Sequence, residues 1–257
     1  MTTALDRRVP PLGGFSTIFL RLELRRLMRN RRAVFFTLVL PPLFFFMFGG
    51  TQYTHESAGR GNTSAYVMLG LAVYGAMSAN TSTGASVAVE RAQGWSRQLR
   101  LTPLHPVAYV AVKIIMAMAM GALAVAAVFA VSAIGGARMD GWVWVVSGLV
   151  AWLGGLVFAA LGVFMGYLFA SENVMQFLGL LMSFLAFFGG LFVPLSVLGD
   201  SFRAFAQYTP AYGVGVLARA PLTSDHVDLG AVVNVVVWTL IFSAGAVWRF
   251  RRDTARV

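Results

Sequence analysis

Charge is sequestered in this chain. Residues 33–50, 65–89, 107–134, 142–169, 174–195 and 229–248 are apolar runs, and the charged side chains gather in the stretches between them. An apolar stretch of about 20 residues spans the hydrocarbon of a bilayer as a helix, the one open-ended structure that satisfies its own backbone there. The composition agrees: 58% of residues are hydrophobic and 12% charged, against about 25% charged in a soluble domain. Mean hydropathy is +0.73. The expectation is an all-α polytopic membrane protein of six transmembrane helices forming a single domain over residues 1–257. The longest polar stretches are the first thirty-odd residues and 198–228, too little for a separate soluble catalytic domain.

The net charge of +10 raises the question of nucleic acid, but its placement points elsewhere. Arg7, Arg8, Arg21, Arg25, Arg26, Arg29, Arg31 and Arg32 precede the first apolar run. Arg91, Arg97 and Arg100 lie between the second and third, and Arg249, Arg251, Arg252 and Arg256 follow the last. Only Arg60, Arg138, Arg203 and Arg219 occupy the alternate connections. This is the positive-inside pattern of an integral cell-membrane protein, with both termini and the 90–104 segment cytoplasmic. No basic face carries the aromatic interleaving of a stacking platform, so no nucleic-acid partner is expected. The N-terminus lacks the order of a cleavable signal peptide and is expected to be retained.

Residues 15–32 alternate faces at helical spacing. Phe15, Ile18, Phe19, Leu22 and Leu27 form an apolar stripe, with Arg21, Arg25, Arg26 and Arg29 on or beside the opposite side. A basic amphipathic helix in this position lies in the interface, against membrane lipid. Pro41 and Pro42 break the hydrogen-bond ladder of the first span near its middle. The Phe44, Phe45, Phe46 and Phe48 cluster faces lipid, packs between helices, or walls an apolar substrate path. The second span is rich in small and hydroxyl residues, among them Ser78 and Ser82, which favour close helix approach or line a cavity. Gly162 and Gly166 form a GxxxG in the fourth span, read as packing within the chain.

The polar interruption, residues 89–113 (VERAQGWSRQLRLTPLHPVAYVAVK), reads as a short basic helix on the membrane surface, ended and hinged by Pro103 and Pro106. Residues 198–228 contain Asp200, Arg203, Arg219, Pro210 and Pro221, so they cannot form a seventh span. Phe202, Phe205, Tyr208 and Tyr212 make them too apolar for a plain loop; short re-entrant helices in the outer leaflet are expected.

No catalytic constellation is present. His55, His105 and His226 lie in different connections and supply no metal-ligand pair, and the chain has no cysteine. There is no phosphate-binding GxxxxGK[ST] loop, and no carboxylate lies in the middle of a span, the usual mark of an ion-coupled carrier. A transporter of this kind draws its free energy from a partner.

Two stretches resemble the ABC-2 type exporter permeases, including the daunorubicin-resistance-like drug exporters. One is Glu90-Arg91 through Leu99-Arg100-Leu101-Thr102-Pro103-Leu104, similar to the family's ER-x-x-G-x-x-x-x-L-x-x-TPL segment, with Gly94 at the glycine. The other is Gly189-Gly190-Leu191-Phe192-Val193-Pro194 followed by Tyr208-Thr209-Pro210-Ala211-Tyr212. The arginine-rich lead-in and Pro41-Pro42 match the family's usual start. The chain departs at Ala92-Gln93, where a second acidic residue is common, and at Trp95, where threonine is common.

The resemblance implies a permease subunit without an ATPase site of its own. It would pair with an identical or sister permease and with two P-loop ATP-binding-cassette subunits that hold ATP and magnesium. Residues 90–104 would be the coupling helix, with Glu90, Arg91, Gly94, Trp95, Arg97 and Arg100 against the ATPase. Candidate path residues for an exported drug, antibiotic or lipid-like compound are Phe44, Phe45, Phe46, Ser78, Ser82, Met182, Phe184 and Phe188. Pro194, Pro210 and Tyr212 mark the external segment. The competing expectation is a membrane scaffold or sensor that binds a signalling partner through its basic inner surface, without transport.

Overall fold

The computed structural model describes residues 17–48, 53–94, 106–169, 174–195, 198–224 and 226–254. Among them the helices run α1 (Thr17–Arg29), α2 (Arg31–Leu38), α3 (Leu40–Phe48), α4 (Thr63–Ala92), α5 (Pro106–Ile134), α6 (Gly141–Gly154), α7 (Leu156–Leu168), α8 (Val174–Phe188), α9 (Asp200–Ala206), α10 (Pro210–Thr223) and α11 (Leu229–Thr254). A small antiparallel hairpin, β1 (Ser57–Ala58) and β2 (Gly61–Asn62), precedes α4. The expected all-α membrane class therefore holds. Among the described residues three segments are both long and apolar enough to cross a membrane, Tyr109–Ile134, Gly141–Leu168 and Leu229–Phe250; Val34–Met47 and Val174–Phe188 are shorter apolar helices.

The polar, small-residue composition of α4 follows from its place at the centre of the bundle. Twenty-one of its 30 residues are buried, Ser64, Thr81 and Thr83 among them, so these hydroxyls face protein, while Ser82 is exposed. It packs most extensively against α5 and α7. The crossing with α7 is a backbone-to-backbone approach: a Cβ at Gly162 would overlap the Thr81 carbonyl, and one at Gly84 would lie 2.8 Å from the Ala159 carbonyl oxygen. Gly166 faces Ala85 in the same seam, so the GxxxG serves packing within the chain. Thr81 Oγ1 donates to the Phe158 carbonyl at 3.2 Å, adding a bond across the helices. In contrast α6, α8 and α11 leave large apolar side chains outward, including Leu149, Leu180 and Leu240. With no protein over them, these suit lipid or a second subunit.

The first apolar run is two helices rather than one. The break falls at Val39, two residues before the proline pair. The cause is local: Pro41 and Pro42 have no N–H to offer the carbonyls four residues earlier, those of Thr37 and Leu38. Both prolines sit in the first turn of α3, where a missing donor costs least, and Leu43 N donates to the Val39 carbonyl to restart the ladder. The fourth run also divides, at Gly154-Gly155, a break the sequence reading did not anticipate. Asn80 of α4 occupies the space there; a Cβ on Gly155 or on Gly121 of α5 would overlap its side chain.

At the end of the bundle near the start of α4, three polar side chains gather the connections. Asn62 caps α4 through Oδ1, which accepts from Ala65 N and Arg138 N, each at 3.0 Å, while Nδ2 donates to the carbonyls of Thr54 and Gly136. Arg60 donates to the carbonyls of Pro221 and Ser224 and stacks on Trp142. Arg219 of α10 donates to the carbonyls of Gly190, Leu191 and Tyr66.

Candidate functional site

At the other end of α4, residues 90 and 91 hold their helix to three neighbours. Successive side chains on an α-helix point about 100° apart, so adjacent residues reach different partners. Glu90 turns toward α1 and α5. Lys113 Nζ of α5 donates to Glu90 Oε1 at 2.5 Å and to Glu23 Oε2 of α1 at 3.0 Å, and the Tyr109 hydroxyl donates to Glu90 Oε2. Lys113 is 1% exposed, and Glu23 and Glu90 are about as buried as the apolar core around them. Arg26 stands 3.7 Å from Glu23 and 3.8 Å from Glu90 at the exposed margin. Two carboxylates and two cations make the cluster neutral, which is what permits such burial.

Arg91 turns the opposite way. Its Nη1 donates to the carbonyls of Gly166 and Tyr167, each at 3.1 Å, and its guanidinium lies 5.4 Å from the Tyr167 ring centroid. These carbonyls belong to the last turn of α7, where a cation satisfies orphan acceptors and complements the helix dipole. Gly94 then closes α4 with φ of 75°, a left-handed conformation that glycine adopts without strain. Trp95, Arg97 and Arg100, expected to belong with these residues, lie outside the described residues, as does the rest of the expected coupling helix to residue 104.

Between α2, α3, α4 and α8 lies a mainly apolar groove of about 790 Å³. It brings together Ser78, Ser82 and Met182, three of the path candidates, with Pro41, Tyr74 and Gln176. Among the described residues the buried Ser78 hydroxyl has no hydrogen-bond partner. A second, more polar cavity of about 420 Å³ adjoins it, sharing Ser82 and Met175 and reaching Glu23, Glu90 and Lys113.

The phenylalanine candidates are placed elsewhere. Phe45 is wholly buried in the core, and Phe46 is exposed. Phe44 packs with Tyr74 and Phe192, at 6.2 Å between centroids in each case. Phe184 and Phe188 join Phe202 and Phe205 in an aromatic cluster under α9. None of these five lines the groove. Of the external segment, Pro210 begins α10 beneath the Thr209 cap, while Tyr212 lines a separate small pocket with Arg219. Pro194 is half-buried just beyond α8.

The residues that the sequence reading missed are Glu23 and Tyr109, together with the pairing of Lys113. A usable signal was present: a lysine seven residues into an apolar helix requires a counter-charge, and Glu23 is the one acid within the amphipathic stretch 15–32. No group of three or more metal-ligating side chains lies among the described residues.

Comparison with known proteins places this geometry in context. The family model described as ABC-2 family transporter protein matches residues 50–248. A protein of Bacillus subtilis (strain 168) named as a transport permease, YvfS, is 29% identical over 195 residues, covering 75% of this chain and 79% of its own length.

Proposed function

The chain belongs to the ABC-2 transporter family, and we propose that it is the permease subunit of an exporter driven by ATP that a partner subunit hydrolyses. Two copies of a P-loop ATP-binding-cassette subunit would carry ATP and magnesium, and a second permease, identical or sister, would complete the transmembrane unit. The six apolar runs would cross the cell membrane with both termini cytoplasmic, residues 198–228 forming the outer re-entrant region.

The observation that carries this reading is the double attachment at the end of α4. Glu90 binds α1 and α5, and Arg91 binds α7, immediately before the expected coupling segment. A push on residues 92–104 by a nucleotide-binding partner would reach three helices without slack, because a buried ion cluster and paired carbonyls resist rearrangement. α4 also walls the groove at Ser78 and Ser82. Movement of α4 would thereby alter a cavity of the size and apolar lining that suit an amphipathic or apolar compound. In this role Glu90 and Arg91 position the coupling segment, and Trp95, Arg97 and Arg100 make the contact with the ATPase.

Affinity purification of the tagged chain in mild detergent, followed by mass spectrometry, tests the partner. A stoichiometric P-loop ATPase is expected, lost when Trp95, Arg97 and Arg100 are replaced together. A preparation without any ATPase would overturn the reading and favour the scaffold alternative.

A further inference from the structure

The pocket at the opposite end of α4 is unlike the groove. It measures about 250 Å³ and is lined by Tyr66, Leu195, Arg203, Tyr212, Arg219 and Thr223, with the backbone of Gly189 and Gly190. Arg219 is 8% exposed, yet among the described residues it makes no ion pair. Its guanidinium donates to three carbonyls: Nη1 to Gly190 at 2.9 Å, Nη2 to Leu191 at 3.0 Å and Nε to Tyr66 at 3.4 Å. It also lies 4.2 Å from the Tyr66 ring centroid. An arginine has five N–H groups, so two remain without a described protein acceptor. Neutral carbonyls and a ring face soften the charge but do not cancel it, and a buried uncompensated cation is costly.

The second cation is Arg203, on α9. It is exposed, lines the same pocket and likewise has no carboxylate within ion-pair distance among the described residues. Two guanidinium groups, two tyrosines and a threonine, with no acid among the described lining residues, form a cavity of one sign. Low-dielectric walls focus such a field on an anion. The carbonyl bonds hold Arg219 rigidly, and Gly70 leaves the room it occupies, since any Cβ there would overlap the Leu191 carbonyl and Arg219 Nη2. The site is therefore prebuilt rather than assembled by flexible side chains.

We infer that this pocket binds a phosphate-type anion, either a free anion or the headgroup of an anionic lipid, with Arg219 as the fixed donor and Arg203 as the closing one. The inference stands on the pocket alone and does not depend on the transport reading. Fork-shaped guanidinium pairs suit a tetrahedral oxyanion. The cavity can take such a headgroup while the acyl chains remain outside the protein.

Calorimetric titration of the purified full chain in neutral detergent tests it, with inorganic phosphate and dihexanoylphosphatidylglycerol as separate probes. Saturable binding of at least one probe is expected, weakened about tenfold by Arg203→Gln, as loss of a charge-assisted bond implies. Arg203 is exposed, so this variant keeps the fold, which circular dichroism checks. Arg249→Gln, at the far end of the bundle, should leave binding unchanged. Preference for inorganic phosphate assigns the site to a free anion; preference for the phosphatidylglycerol assigns it to a lipid headgroup. No saturable binding of either, equal binding by Arg203→Gln, or equal weakening by Arg249→Gln would overturn the inference.

Discussion

Lys113 shows how one side chain can organise one end of the bundle. Removing its charge strands Glu23 and Glu90 in a buried site, and breaking one partner of such a cluster typically costs about 3–5 kcal/mol. Lys113→Met should therefore lower the thermal unfolding midpoint in detergent substantially. The triple variant Glu23→Gln/Glu90→Gln/Lys113→Met should recover most of the loss, because no buried charge is then left alone and the remaining Arg26 is exposed to solvent. A single-variant midpoint equal to wild type would mean that the cluster holds little. The sequence allowed Glu90 and Arg91 to be singled out, but not Glu90 to be joined to Lys113. Which side chains meet across α1, α4 and α5 depends on helix rotation, and apolar runs with little amphipathic contrast do not fix rotation. Arg91 illustrates the same limit: its charge was legible, but its bonds to carbonyls of the last turn of α7 were not.

Helices were legible where they are long and uniform, and less so where they break. The third expected span, 107–134, corresponds closely to α5 (Pro106–Ile134), bounded by proline at one end and Gly135-Gly136 at the other. The first break was readable from Pro41-Pro42 although it falls at Val39, because a missing N–H is felt at the carbonyl four residues earlier. The Gly154-Gly155 break was hidden, since Asn80, lying across it, comes from another helix. The close crossing of α4 and α7 leads to a paired prediction. Gly162→Ala must push against the Thr81 backbone and should cost about 1–3 kcal/mol, read as a lower unfolding midpoint. Gly179→Ala in α8 meets nothing within 4 Å and should be neutral or slightly stabilising, since alanine is the better helix former. If both substitutions behave alike, the crossing is not the tight contact described.

For the whole molecule, charge asymmetry and apolar run lengths carried the membrane class, and the motif around Glu90 carried the family. The proposed sidedness rests on the same arginine distribution and is directly measurable, because a chain without cysteine accepts single labels cleanly. Gln93 and Thr223 are both exposed, at opposite ends of the bundle. A membrane-impermeant maleimide should label Thr223→Cys in intact cells and Gln93→Cys only in inside-out vesicles; the reverse pattern would invert the proposed topology. The positions of Phe45, Phe184 and Phe188 away from the groove show where composition stopped helping. Aromatic clusters mark packing and cavity walls alike, and only the fold separates the two.

The central claim is that ATP hydrolysed by a partner moves an amphipathic or apolar compound through a path bordered by the α4 groove. Its most direct test is uptake of a panel of fluorescent amphipaths into inside-out vesicles containing the chain with its co-purified ATPase. ATP-dependent accumulation of at least one compound is predicted, abolished by Ser82→Trp, which fills the groove while leaving the Glu23–Lys113–Glu90 cluster in place. An assembled complex that hydrolyses ATP yet accumulates none of the panel, or one in which Ser82→Trp transports as well as wild type, would contradict the account.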